Sequence, residues 1–143
     1  MSAGPSSESG TITLWMLGLC VALLFLGGVS LDLWRAASER RSVTGIVDAA
    51  AIAGASGIDE AHLRATGELR LDPGRAQDFA VASLASHSES VIHPSVVVAS
   101  DGSAITVAGS RDVPFTLLKV LMPGLQPLQV QAQATSSPRS ASP

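Results

Sequence analysis

The stretch that decides the fold is GTITLWMLGLCVALLFLGGVSL, Gly10 to Leu31, which contains no charged side chain. As an α-helix it would be about 33 Å long, enough to cross a hydrocarbon core about 30 Å thick. A single segment satisfies its backbone hydrogen bonds in lipid only as a helix. The sequence therefore predicts an N-terminal transmembrane helix at residues 10–31 and a protein held at a membrane, in contact with its lipid.

Two other interpretations of this stretch stay open, a cleaved signal peptide and a buried core helix. A secretory signal has a basic leading region and a small-residue cleavage site directly after a short apolar run. Here the leader MSAGPSSESG has no Lys or Arg, and the small-residue triplet Ala49–Ala51 lies far beyond the apolar run, after several charges. An uncleaved anchor is the favoured interpretation.

Composition disfavours several classes of function. The formal net charge is −3, Lys119 is the only lysine and aromatic residues make up 3% of the chain, which disfavours nucleic-acid binding through phosphate contacts or base stacking. Cys20 is the only cysteine, so neither an internal disulfide nor a cysteine metal cluster can form. His62, His87 and His93 lack the spacing of metal ligands. We expect no catalytic site, no cofactor, no metal and no small-molecule substrate.

The helix is predicted to continue beyond the span as an amphipathic arm, residues 32–57. No proline interrupts it before Gly57, which is a plausible stop. Apolar and small residues recur in the arm at the three- and four-residue spacings of one helix face. That face consists of Leu33, Ala36, Ala37, Val43, Ile46, Val47, Ala50, Ala53 and Gly54.

The remainder is predicted to form a small α+β head, residues 58–136, between a disordered leader at 1–9 and a disordered tail at 137–143. Leu69 and Leu71 alternate with charged residues, as in a short edge strand. Asp72 and Pro73 are a favourable helix start, and the helix is predicted to extend to Ser88. Its core face would comprise Ala76, Phe79, Ala80, Ser83 and Leu84, with Phe79 as the main core residue.

The last third of the chain predicts an antiparallel sheet. Two apolar runs flank Asp101 and Gly102, a strong hairpin signal, and Pro94 confines the first strand to starting near Ser95 or to a sheet edge. The run PFTLLKVLMPG predicts a short helix that begins at Pro114. The last strand would alternate apolar residues with glutamines, its apolar face being Leu128, Val130, Ala132 and Ala134.

Three features of the first third resemble the Tad (tight adherence) family, the TadE/TadG-like proteins of Flp pilus assembly. They are Gly10 before the apolar span, the Asp32-x-x-Arg35 step, and the run DAAAIAGA at Asp48–Ala55. The resemblance implies a pilin-like, single-pass assembly protein that contacts other Tad proteins, as a homo- or hetero-oligomer. Trp15 stands five residues after Gly10, where a processed pilin would have Glu, which disfavours cleavage by a prepilin peptidase.

Orientation is predicted differently by two signals. Arg35, Arg40 and Arg41 follow the span and no basic residue precedes it, so the positive-inside rule would place the C-terminal domain in the cytoplasm. The family resemblance implies that this domain faces outward, and we follow the resemblance. A membrane-anchored extracytoplasmic binding or signalling module is the alternative function.

Candidate packing residues lie along the whole predicted helix. Asp32 lies at the predicted membrane interface, where it can pair with Arg35. It either simply ends the apolar span at the interface or contacts a partner protein in an assembly. Asp48 adjoins small residues, including Ala51 and Gly54, that permit close helix approach. This face packs either on another Tad-like subunit, with Asp48 setting the register, or on the chain's own sheet. Gly18 and Ala22 form a small-xxx-small pair in the span.

Overall fold

The structure is a computed structural model that describes residues 8–87 and 91–139. Its helices are α1 (Glu8–Ala55), α2 (Glu60–Thr66), α3 (Pro73–Ala85) and α4 (Leu117–Leu121). Its strands are β1 (Ile92–Val98), β2 (Ile105–Val113) and β3 (Leu128–Ser136). The predicted α+β architecture is confirmed. Most of the leader (1–7), the end of the tail (140–143) and the predicted end of the third helix at Ser88 lie outside the described residues.

The chain divides into two compact units. One takes in the described chain up to Arg35 together with Phe115–Gln126, a segment that connects β2 to β3. The other takes in Ala36–Pro114 and the chain from Pro127 onward, and we call it the head. The long helix α1 contributes its first part to one unit and its last part to the other.

In its described residues, the head has one antiparallel sheet of three strands in the order β1-β2-β3. The arm of α1 and helix α3 share a hydrophobic core with this sheet. The buried core consists of Val43, Val47, Ala50, Ala51, Ala55, Leu71, Ala76, Ala80, Leu84, Val91, Ile105 and Val107. The amphipathic arm is thus confirmed, although Leu33 and Ala37, predicted on its apolar face, are exposed.

Helix α3 begins as the sequence predicts. Asp72 is the N-cap, and its Oδ1 accepts a hydrogen bond from the Arg75 backbone N–H at 3.0 Å. The prediction that Phe79 is the main core residue is wrong, because its side chain is 41% exposed. The helix instead buries Ala76, Ala80 and Leu84, and the two alanines allow it to approach α1 closely.

The stretch between α1 and α3 differs from the prediction. It forms α2, capped by Asp59, whose Oδ1 accepts from the His62 backbone N–H at 3.0 Å, and ended by Gly67 with a φ of 77°. The predicted edge strand at Leu69–Leu71 is absent from this described segment, where Leu71 forms an isolated bridge with Ile58 and its backbone N–H donates to the Gly102 carbonyl at 2.9 Å. Leu71 is nevertheless fully buried, so its apolar character reflects the core.

The hairpin and the edge position of β1 are confirmed. Asp101 and Gly102 lie in the β1–β2 turn, where Gly102 has a φ of 70° and Asp101 Oδ1 accepts from the Ser103 backbone N–H at 3.0 Å and from its hydroxyl at 2.7 Å. The Ser103 backbone N–H, followed by its hydroxyl, lowers the pKa of Asp101 below its ordinary value. Pro94 lies in β1, at a register shift that follows Ile92.

Strand β3 keeps most of the predicted alternation. Its glutamines are exposed, Val130 is buried, and Ala132 and Ala134 are half-buried. Leu128, predicted on the apolar face, is exposed.

Candidate membrane anchor and assembly surfaces

The first part of α1 has the properties of a membrane span. A candidate span is found in Gly10–Ala55, where an 18-residue window has a mean hydropathy of 2.3 and only 6% of it is buried. Leu14, Trp15 and Leu24 are each more than two-thirds exposed. A core helix of a soluble protein would bury such side chains, so the core-helix interpretation is wrong. Cys20 is exposed on the same segment.

The predicted small-residue pair of the span lies in a shallow apolar depression. Gly18 and Ala22 line it together with Leu14, Trp15 and Leu19. A Cβ added at Gly18 would meet nothing within 4 Å, and the same holds for Gly10. Both glycines therefore leave open surface on the helix.

Asp32, at the end of the apolar stretch, caps α4. Its Oδ1 accepts the Thr116 backbone N–H at 3.3 Å, and its Oδ2 accepts those of Leu117 at 3.1 Å and Leu118 at 2.9 Å. Arg35 Nη1 donates to the Thr116 hydroxyl at 3.3 Å. Asp32 is only 5% exposed, and its contacts make it an intramolecular helix cap.

Helix α4 lies against the apolar part of α1. A Cβ added at Gly28 would approach the Leu117 side chain to 3.4 Å, so the glycine permits close packing of the two helices. Leu117, Leu118 and Val120 line an apolar depression of about 240 Å³ with residues of α1. The lining residues from α1 are Val21, Leu24, Phe25, Gly28 and Val29.

The candidate residues of the arm lie in two different environments. Ala51 and Gly54 are buried within the head, where a Cβ at Gly54 would clash with Ile105 and come within 3.0 Å of the Ala76 carbonyl oxygen. Packing on the chain's own core, one of the two alternatives, is what the structure shows for these residues. Asp48 is exposed on the arm, as is Ile52 one turn further on.

An ion pair joins the arm of α1 to the sheet. Arg111 Nη1 of β2 and Glu39 Oε2 of the arm form an ion pair at 3.0 Å. Within residues 8–87 and 91–139, no three His, Cys, Asp or Glu side chains come together in a way that could hold a metal ion.

Sequence reasoning identified Asp32 and missed its partner. The acceptor and the N–H groups that it binds are separated by 84 to 86 residues. Two signals could have suggested the contact: a single carboxylate at the end of an apolar span, and a second apolar run, LLKVLM, between two strands.

Residues 10–57 match the Tad family, a TadE/G-like Flp pilus-assembly family. The match includes the span and the arm of α1 and ends at Gly57, whose added Cβ would come within 2.6 Å of the Ala76 backbone nitrogen. The resemblance carried by Gly10, Asp32 and the run after Asp48 is thereby confirmed for this segment. No match was found among curated proteins or among solved structures.

Proposed function

We propose that this chain is a single-pass, pilin-like assembly protein of a Tad/Flp pilus or a related secretion apparatus. It would be held in the membrane by residues 10–31 and would act by helix–helix and protein–protein packing. The observation that carries the proposal is the family match over residues 10–57, which coincides with a helix that is exposed and apolar in its first part. The matched family is one of structural and assembly proteins.

Two exposed surfaces of α1 are the proposed packing sites for other Tad proteins. In the span, the depression at Gly18 and Ala22 leaves room for a neighbouring helix, since small residues permit close backbone approach. In the arm, Asp48 and Ile52 are exposed while the opposite face is buried in the head. A carboxylate beside apolar surface can fix the register of a helix contact.

The proposed orientation places the head outside the cytoplasm, and a reporter fusion tests it. A reporter that is active only outside the cytoplasm would be fused after Ser137 of the full chain. Activity of this reporter is expected. If it is inactive, and a second reporter that works only in the cytoplasm is active at the same position, the pilus-assembly role is contradicted. The latter result would agree with the bias of Arg35, Arg40 and Arg41.

Photo-crosslinking in cells that carry a Tad apparatus tests the packing role. A photoreactive residue would replace Gly18 or Asp48, and exposed Val97 of β1 would be the control. Adducts with identified Tad proteins are expected from the first two positions and not from the third. Asp48→Ala should weaken co-purification of the same partner at unchanged expression; unchanged co-purification would rule out the role of Asp48 in register.

A further inference from the structure

We propose that the β2–β3 connection, Phe115–Gln126, is a second membrane-contacting element that inserts into the apolar layer of the bilayer beside α1. The occupant of its exposed surface would be lipid acyl chains. The inference rests on the membrane anchoring stated above, and goes beyond it because the segment belongs to the part of the chain outside the family match.

The first argument is depth. Helix α4 approaches α1 closely at Gly28 and shares an apolar depression with α1 residues from Val21 to Val29, which belong to the charge-free stretch. If lipid ended where this depression begins, the span would shrink to Gly10–Cys20, about 16 Å of helix against a core of about 30 Å. A span of sufficient length therefore carries α4 into the apolar layer with it.

The second argument is the chemistry of the side chains. Val120 is 80% exposed and Met122 is 59% exposed. Leu117 and Leu125 add further exposed apolar surface. Lys119 is the only charged residue of the segment, and its long side chain can extend towards the headgroups. This surface is continuous with that of α1 through the depression that both helices line, which argues for a shared lipid environment.

The third argument concerns the backbone. A helix start placed in lipid is costly because its first N–H groups lack partners. Asp32 accepts three of them, at Thr116, Leu117 and Leu118, while the Thr116 side chain makes no capping bond of its own. At the other end, the Met122 N–H donates to the Leu118 carbonyl at 2.8 Å. These contacts give the first N–H groups of the helix and the Leu118 carbonyl partners other than water.

Depth-dependent fluorescence quenching of the full chain in phospholipid vesicles tests the proposal. Cys20→Ser removes the only cysteine, after which Val120→Cys introduces a labelling site for an environment-sensitive dye. Val97→Cys is the matched control, since Val97 is also an exposed valine, 61% exposed, but lies in the head. Leu24→Cys reports on the span itself.

The dye at residue 120 should be quenched by lipids with brominated acyl chains and be severalfold less sensitive to aqueous iodide than the dye at residue 97. Iodide sensitivity at residue 120 equal to that at residue 97 would overturn the inference. If the dye at residue 24 is quenched by brominated lipid in that case, the anchor stands and only the insertion fails. If it too responds to iodide alone, the proposed anchoring fails as well.

A pair of aspartate variants tests the role given to Asp32. Asp32→Ala removes the acceptor of three backbone N–H groups, so the label at residue 120 should become severalfold more sensitive to iodide. Asp78→Ala, on the exposed surface of α3, should leave the iodide sensitivity of the label unchanged. If the dye at residue 120 were equally sensitive to iodide in both variants, Asp32 would not be the residue that holds α4 in lipid.

Discussion

The two parts of helix α1 use similar residues in opposite ways. In the span, large apolar side chains such as Leu14 and Leu24 are exposed. In the arm, Val43 and Val47 are fully buried in the hydrophobic core of the head. Because apolar side chains are driven out of water in either case, the difference shows which part the protein covers itself and which part is left for lipid or another subunit.

The glycines show the same contrast. A Cβ added at Gly10, Gly18 or Gly27 would meet nothing within 4 Å. A Cβ added at Gly54 would clash with Ile105, because α3 and the sheet approach the helix closely there. Gly10, Gly18 and Gly27 thus leave room for a neighbouring helix, whereas Gly54, near the end of the arm, is packed inside the head.

The largest expected effect comes from a charge placed on the buried side of the arm. Val47→Asp would bury an unpaired carboxylate, and we expect it to destabilise the head by about 4 kcal/mol or more. Ile52→Asp, five residues away and 67% exposed, should change the stability by less than about 0.5 kcal/mol. Hydrogen exchange of the β2 amides in the full chain measures both. Similar hydrogen-exchange rates in the two variants would contradict the conclusion that the arm has one buried and one exposed face.

A smaller effect is expected from adding one methyl group at a glycine. Gly54→Ala should cost about 1–3 kcal/mol, since Ile105, the Ala76 carbonyl and Ala80 leave no space. Gly45→Ala on the same helix meets nothing within 4 Å and should stabilise it by about 1 kcal/mol through helix propensity. The thermal unfolding temperatures of the two variants in detergent should therefore shift in opposite directions. If both temperatures rise, the close approach at Gly54 is unimportant.

Local signals were sufficient to predict much of this fold. A long charge-free run, the Asp72–Pro73 helix start and the alternation of glutamines in β3 depend on neighbouring residues, and each is found where the sequence placed it. Helix α2 was missed because a seven-residue helix without buried side chains has no apolar period to detect. Its Asp59 cap and Gly67 terminator were the available signals.

Features that depend on distant residues could not be predicted. Phe79 fits the helical period of α3, but small Ala76 and Ala80 permit the close approach to Gly54 and leave the larger ring at the exposed flank. The packing residues of α1 were identified by type, yet the sequence could not tell an own-core contact from a partner contact. The cap of α4 by Asp32 joins residues far apart in the chain and has no local pattern.

The smallest expected effect concerns the ion pair that connects the arm to the sheet. Glu39 and Arg111 are about three-quarters buried and their charged atoms are 3.0 Å apart, so a double-mutant cycle with Glu39→Gln and Arg111→Gln should give a coupling of about 0.5–1 kcal/mol. The exposed pair Glu60–Arg64, at 2.6 Å, is the control and should couple by about 0.3–0.5 kcal/mol. Denaturant unfolding in detergent at low and high salt measures both. A coupling at Glu39–Arg111 no larger than the control would show that this ion pair holds the arm against the sheet no more strongly than an exposed pair would.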